Sequence, residues 1–274
     1  MAGPLMFDAG WLRALRARAV VQPLRPRVPL WAGQSVIGSV EAGLFKDPAL
    51  HVMLDSISQI LQEEHPVELG WRLLGDVTTS LNLLARALYG AGLAAQWRNE
   101  QLAVHDQFEH LKGTVERAAV RPLGIATAAV HLVGQTSDGR HWVQQRSLKK
   151  SNDPGLWDTL MGGMVSAADT VETALQRETW EEAGLEMAAL QHVVYGGRVT
   201  TRRPCADGGG TGYVIESIDW CRCTVPEGVM PQNQDDEVCQ FALMDRDALM
   251  RAMQRDEFTL EAALILAEVL EMEV

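Results

Sequence analysis

The sequence predicts an α+β chain in two parts, a smaller N-terminal α+β domain over residues 1–120 and a larger one over residues 121–274. Three observations carry this. At 274 residues the chain exceeds what one hydrophobic core usually organises. Apolar patterns of strand and helix period interleave along its length. Near residue 120 the pattern changes character, where Arg121-Pro122-Leu123-Gly124 punctuates the chain.

The elements follow in order. The first thirty residues hold Arg13, Arg16, Arg18, Arg25 and Arg27 against the single acid Asp8. That composition is compatible with an organellar presequence; the preferred reading is a basic surface helix with Trp11, Leu12 and Leu15 on its buried side. Residues 28–31 and 35–40 read as strands, 47–63 and 78–91 as helices, and 96–104 as a strand. After the break, strands are expected over 125–133, 141–146, 193–201, 213–224 and 238–244, and two helices start at Arg246 and Leu260. The glycine run 208–212 has no GK[ST] and no following helix, so it reads as a flexible connection or lid rather than a phosphate loop.

Between the second and third of these strands lies the most informative stretch, residues 163–185. Glu178, Glu181 and Glu182 stand at i, i+3 and i+4, side by side on a helix. Like charges at that spacing oppose the helix, a cost that a bound cation reverses. The start of the helix is marked by Asp169 with Glu172 as a capping box, or by Thr170 as the N-cap, after a loop over 162–165. Gly184 supplies the stop. Val171, Ala174 and Leu175 form an apolar stripe for docking on a sheet, with the glutamates on another side. The unit is strand, glycine loop, carboxylate helix.

Composition excludes several classes. A net charge of -12 and a pI near 5.0 argue against a nucleic-acid surface, and no run approaches a membrane span. Cys205, Cys221, Cys223 and Cys239 lack the spacing of a zinc or disulfide framework, so reduced thiols and a cytoplasmic location are expected. The histidines are dispersed; His131 in an apolar strand reads as structural.

Residues 163–185 resemble the Nudix box, Gx5Ex7REUxEExGU with U a bulky aliphatic residue. Here Gly163 is followed after five residues by Asp169, and after seven more by Arg177-Glu178-Thr179-Trp180-Glu181-Glu182-Ala183-Gly184-Leu185. Asp169 replaces the first Glu, which in the family pairs with the box Arg, and Thr179 replaces the aliphatic residue. The resemblance covers residues 121–274 and implies a Nudix α/β/α sandwich with a mixed sheet. The run from Arg146 through Lys149 and Lys150 to Trp157-Asp158, the later Asp235-Asp236-Glu237, and the preceding domain with Trp97-Arg98-Asn99-Glu100 are similar to the Nudix branch related to thiamin pyrophosphokinase. Members of that branch are associated with hydrolysis of thiamin diphosphate and its oxidised analogues to the monophosphate.

The resemblance implies Mg²⁺, with Mn²⁺ as a substitute, held by Glu178, Glu181, Glu182 and the carbonyl of Gly163. Arg177 would orient these carboxylates, and the general base would be Glu178 or Glu237. Arg146, Lys149 and Lys150 are candidate phosphate contacts, because an acidic protein must concentrate positive charge where an anionic substrate lands, and Trp157 is a candidate ring for stacking on substrate. The expected partner is a small-molecule diphosphate, with a homodimer as a compatible assembly. Other nucleoside diphosphate derivatives are a second substrate class. The isopentenyl diphosphate isomerases share the fold and a similar run, but residues 157–162 lack their Cys and their His-rich metal site. A Nudix ligand sensor without turnover is a further reading, against which the retained glutamates weigh.

Overall fold

Asp8 accepts hydrogen bonds from the amides of Gly10 and Trp11 and so starts helix α1 (Ala9–Ala19). The computed structural model describes residues 7–53, 57–64 and 69–273. After α1 come β1 (Arg27–Ala32), β2 (Ser35–Glu41), α2 (Pro48–Met53), β3 (Leu61–Glu64), β4 (Gly70–Leu73), α3 (Val77–Gly90), β5 (Gln101–His105) and β6 (Leu111–Glu116). The first four strands form a mixed sheet in the order β2-β1-β4-β3, with β1 and β4 parallel, while β5 and β6 make a separate hairpin. Asp76 caps α3 by accepting from the Thr79 amide, and Leu81, Leu84 and Leu88 on that helix are wholly buried in the core of this part.

Two expectations here need correction. The helix expected over 47–63 ends with α2 at Met53; residues 54–56 of that stretch lie outside the described residues, and 61–64 are strand β3, where pairing with β4 overrides the helical pattern. The strand expected over 96–104 begins only at Gln101, because Asn99 takes a left-handed φ of 57° and accepts from its neighbour Trp97 Nε1, which makes a turn of residues 97–100.

The remainder comprises β7 (Thr127–Gln135), β8 (His141–Arg146), β9 (Trp157–Asp158), β10 (Met161–Met164), α4 (Val171–Ala183), β11 (Gln191–Cys205), β12 (Gly212–Thr224), β13 (Val238–Met244), α5 (Arg246–Gln254) and α6 (Leu260–Met272). Its seven strands form one mixed sheet, β11-β12-β7-β8-β13, with β10 on β7 and β9 on β8. With helices packed on both faces, this mixed sheet forms the sandwich that was expected, and a smaller α+β region precedes it. Along β7 the side chains alternate. Val130 and Leu132 join Ala174 and Leu175 of α4 in one core, whereas Ala129 and Val133 join α5, α6 and α1 in another. Helix α1 thus packs on α6 through Leu15 and Ala19, across the sequence division at residue 120.

The N-terminal part is fastened beside the carboxylate helix. Met164, the residue after Gly163, is buried in the N-terminal core. The Ala167 amide donates to Gln101 O at 2.7 Å, and Arg27 donates to the carbonyls of Thr211 and Pro122 at 2.6 and 2.9 Å. No helix among the described residues is long and apolar enough to cross a membrane.

Candidate active site beside strand β10

Helix α4 begins at Thr170, whose hydroxyl accepts from the Thr173 amide while the Thr173 hydroxyl accepts from the Thr170 amide. Asp169 is therefore not the cap; it serves Arg177. It ends at Gly184, which takes φ 61°, the left-handed conformation open to glycine. Thr179 is fully buried, and its hydroxyl donates to Leu175 O one turn back at 2.6 Å, which satisfies the hydroxyl that an aliphatic residue would lack.

Residues 162–164, expected within a loop over 162–165, belong instead to strand β10, with Gly162 opposite His131 and Gly163 opposite Val130, because pairing with β7 overrides the glycine signal. The two glycines let side chains close on both faces of this strand. A Cβ on Gly163 would lie 2.1 Å from Glu178 Cδ, and one on Gly162 would lie 2.5 Å from His131 Cε1. Glu178 and Glu182 are accordingly buried against β10. Glu181 stays half-exposed and does not line the cavity described below. The three glutamates are thus not equivalent: two face the strand and one faces out.

Cations of the chain hold each carboxylate. Arg177 Nη1 donates to Glu178 Oε1 and Glu181 Oε2, both at 2.9 Å, and its Nε and Nη2 reach Asp169 Oδ2 at 3.0 and 2.8 Å. Asp169, shorter than Glu, thus still reaches the box arginine. Glu182 Oε2 accepts from Gln144 Nε2 at 2.7 Å and from the Gly162 amide at 3.0 Å, and its Oε1 accepts from Lys150 Nζ at 3.1 Å. Lys150 also pairs with Glu237 at 2.7 Å. Burial alone would lower the Lys150 pKa, but Glu182 and Glu237 outweigh it and raise it. Burial likewise pushes Glu237 up, and Lys150 reverses this and holds it ionised.

Glu178 differs. Burial, reinforced by Glu182, outweighs Arg177 and raises its pKa from 4.5 to about 7. In the folded state it therefore keeps its proton to higher pH than in the unfolded chain. Between pH 4.5 and about 7 the folded state binds the extra proton, so in metal-free protein this group makes stability fall as pH rises through that window, by roughly 3 kcal/mol. Urea unfolding in EDTA should show a slope in wild type that Glu178→Gln lacks; parallel profiles would contradict the assignment.

A cavity of about 430 Å³ adjoins β10, and Gly163, Glu178, Glu182, Glu237, Arg146 and Lys150 all line it. Arg146 donates to Asp158 Oδ2 at 3.3 Å and to Asn152 O at 3.0 Å. Two expected substrate contacts lie elsewhere. Lys149 is exposed and outside the lining. Trp157 packs into the core under α6, because its neighbour Asp158 takes the cavity side of the short strand β9. The connection over 208–212, expected as flexible, includes a tight turn with Gly208 buried.

Sequence reasoning missed His131, Asp158, the pairs Arg121–Glu216 and Arg203–Glu261, and Arg117, all of which line the same cavity. Their partners are distant in sequence, and only the alternation of Thr127, Ala129 and His131 along β7 hinted at a shared face.

Among the described residues no three His, Cys, Asp or Glu side chains converge as a ready-made metal cage. The donors nevertheless fit Mg²⁺ or Mn²⁺. They are hard oxygens, and Mg²⁺ typically takes one or two carboxylates plus waters and substrate phosphates rather than a full protein cage. Gln144 Oε1, beside Glu182, is moreover a buried acceptor with no hydrogen-bond partner.

Residues 124–267 match the family model described as NUDIX domain. The chain is 26% identical over 190 residues to the uncharacterized protein YJR142W of Saccharomyces cerevisiae, covering 64% of this chain and 54% of that one. It is 28% identical over 187 residues to Nudix hydrolase 20, chloroplastic, of Arabidopsis thaliana, covering 67% and 49%. To the uncharacterized Nudix hydrolase PA4841 of Pseudomonas aeruginosa it is 34% identical over 92 residues, covering 34% and 54%. The chain thus spans about half the length of the curated relatives it matches. Among solved structures, DR0079 from Deinococcus radiodurans overlays with a TM-score of 0.45 at 21% identity, over 63% of this chain and 98% of that one.

Proposed function

The chain belongs to the Nudix family, and on that premise we propose that it is a divalent-metal-dependent hydrolase of the diphosphate linkage in a small organic diphosphate. The observation that carries this reading is the convergence on one cavity of Glu178, Glu182, the Gly163 backbone, Lys150 and Arg146. A diphosphate resists attack because its oxygens repel the nucleophile, so an enzyme must neutralise charge and activate water. Both needs are met by residues of this cavity.

Glu178 and Glu182 with the Gly163 carbonyl, and Glu181 beside them on the helix, would hold Mg²⁺ or Mn²⁺. The ion supplies Lewis-acid polarisation of the phosphoryl group and a more acidic water. Arg177 anchors Glu178 and Glu181 without facing the cavity. Lys150 and Arg146 bring positive charge to the diphosphate oxygens. Of the two candidate bases, Glu178 is the one buried against β10 beside Glu182 and lining the cavity from the carboxylate helix. Glu237, held ionised by Lys150, keeps that ammonium in place. Water attacks phosphorus, its proton passes to Glu178, and the bridging P–O bond breaks.

The finer reading is membership of the thiamin pyrophosphokinase-related branch, with residues 1–120 as companion domain, residues 121–274 as hydrolase domain, and thiamin diphosphate or an oxidised analogue as substrate. The Arg146 to Asp158 run supports it. Nucleoside diphosphate derivatives are the second class, since the same carboxylates and cations would serve their diphosphate linkage equally. The isomerase reading is disfavoured because residues 157–162 hold neither the cysteine nor the His-rich metal site of those enzymes. The four free thiols suit the cytoplasm; an organelle is the alternative.

The test is a screen of thiamin diphosphate, its oxidised form, ADP-ribose, isopentenyl diphosphate and nucleoside triphosphates with Mg²⁺ or Mn²⁺, with products separated by chromatography. Thiamin diphosphates should be cleaved faster than triphosphates, and EDTA should abolish cleavage. Turnover unchanged in EDTA would refute the mechanism, and tight binding without turnover would favour a sensor.

A further inference from the structure

Beyond the carboxylate helix, the cavity has a second end with a different chemistry. It is built on the opposite face of the sheet from α4, from His131 of β7, Asp158 of β9, Glu216 of β12, and Arg203 with Glu261 where β11 meets the start of α6. Each carboxylate there has its own arginine: Arg146 on Asp158 at 3.3 Å, Arg121 on Glu216 at 2.7 Å, and Arg203 on Glu261 at 2.9 Å. The cavity lining contains no Phe, Tyr or Trp. These three carboxylates are thus each paired, and among the described residues this end is polar and without an aromatic stacking platform.

The hydrogen-bonding role of His131 at this end is dictated by Thr159. Its side chain is 8% exposed, and Nδ1 lies 2.9 Å from Thr159 Oγ1. The Thr159 hydroxyl has one proton, which it donates to Met161 O at 2.7 Å. It can then only accept from the imidazole, so Nδ1 carries hydrogen, with Asp158 Oδ1 at 3.6 Å on the same side. In the neutral ring Nε2 is then a lone-pair acceptor. Among the described residues that atom has no hydrogen-bond partner, yet it is not sealed from solvent, and the ring lines the cavity beside Gly162. Gly162 lets the ring lie against β10, since a Cβ there would fall over the ring face, 2.5 Å from Cε1 and 2.7 Å from Nε2.

We infer that His131 is a specificity-determining residue, which accepts a hydrogen bond through Nε2 from an N–H or O–H donor on the organic head of the substrate, with Thr159 fixing the tautomer. The inference rests on the diphosphate hydrolase reading for the other end of the cavity. It selects heads that carry an amino or hydroxyl group over purely hydrocarbon heads, because a hydrocarbon would leave the desolvated Nε2 acceptor unpaired.

The test uses four probes: thiamin diphosphate and ADP-ribose with donor-bearing heads, isopentenyl diphosphate with a hydrocarbon head, and inorganic pyrophosphate with none. Affinity is measured by calorimetry and turnover by product analysis, on wild type, His131→Ala, His131→Gln and Thr159→Val. At least one donor-bearing probe should bind wild type more tightly than isopentenyl diphosphate. His131→Ala should weaken that probe about tenfold, in KM rather than kcat, and leave pyrophosphate unchanged, with partial rescue in His131→Gln. In Thr159→Val, ¹⁵N spectra of the imidazole should lose the single Nδ1–H tautomer. Equal losses for all probes, no loss, or tightest binding of isopentenyl diphosphate would overturn the assignment. Selective binding without turnover would instead overturn the hydrolase reading alone.

Discussion

Glu182→Gln is expected to lower diphosphate hydrolysis roughly a hundred- to a thousandfold, the scale seen when one electrostatic contact to the reacting centre is removed. The reason lies in what surrounds the carboxylate. Glu182 is 2% exposed and accepts from three donors, Gln144 and the Gly162 amide on one oxygen and Lys150 on the other. An amide has only one acceptor oxygen, so one of these positions would meet an NH₂ group. If it faces Lys150, the ammonium loses a partner and leans on Glu237 alone; if it faces β10, two donors are left unmatched. Either way the loss should fall on kcat, and Mg²⁺ affinity read by calorimetry should weaken in parallel. Wild-type turnover in Glu182→Gln would exclude the carboxylate from the chemistry.

The second large effect is steric. In Gly163→Ala the new methyl would lie 2.1 Å from Glu178 Cδ and 2.5 Å from its Oε1. Gly163 is not among the residues of positive φ, so its backbone accepts alanine and the clash alone decides the outcome. Glu178 is confined between β10 and Arg177 and must move by about an ångström or more, which predicts a loss of activity of about a hundredfold. Overpacking should also cost about 1–3 kcal/mol of stability. Gly43→Ala is the control, because its methyl would meet nothing within 4 Å. Kinetics and urea unfolding of both variants check this, and a fully active Gly163→Ala would show that Glu178 does not need its place against the strand.

Much of this site can be read from contiguous residues. The start of α4 near Thr170, its stop at Gly184, the Arg177–Asp169 pair and the carboxylate spacing are all written within one turn or two of the chain, where helical geometry leaves few arrangements. The same holds for β8, β13 and the starts of α5 and α6, whose patterns match the observed ends. The short strands β3, β4, β6 and β10 were less legible, since four to six residues with glycine or charge carry little periodicity and are strands through their partners.

By itself, the sequence determined the carboxylate helix, its caps and hence the family to which the chain belongs, because these depend on neighbours within a few residues. Tertiary structure alone decided which glutamates face the strand, that Trp157 is core while Asp158 meets the cavity, and that His131 presents one defined nitrogen. Those outcomes depend on contacts between residues separated by 28, 58 and 95 positions, as in His131–Thr159, Arg203–Glu261 and Arg121–Glu216. The physical reason is that a helix sets its own side-chain directions, whereas the face a strand residue shows to a cavity is set by the strands and helices packed around it.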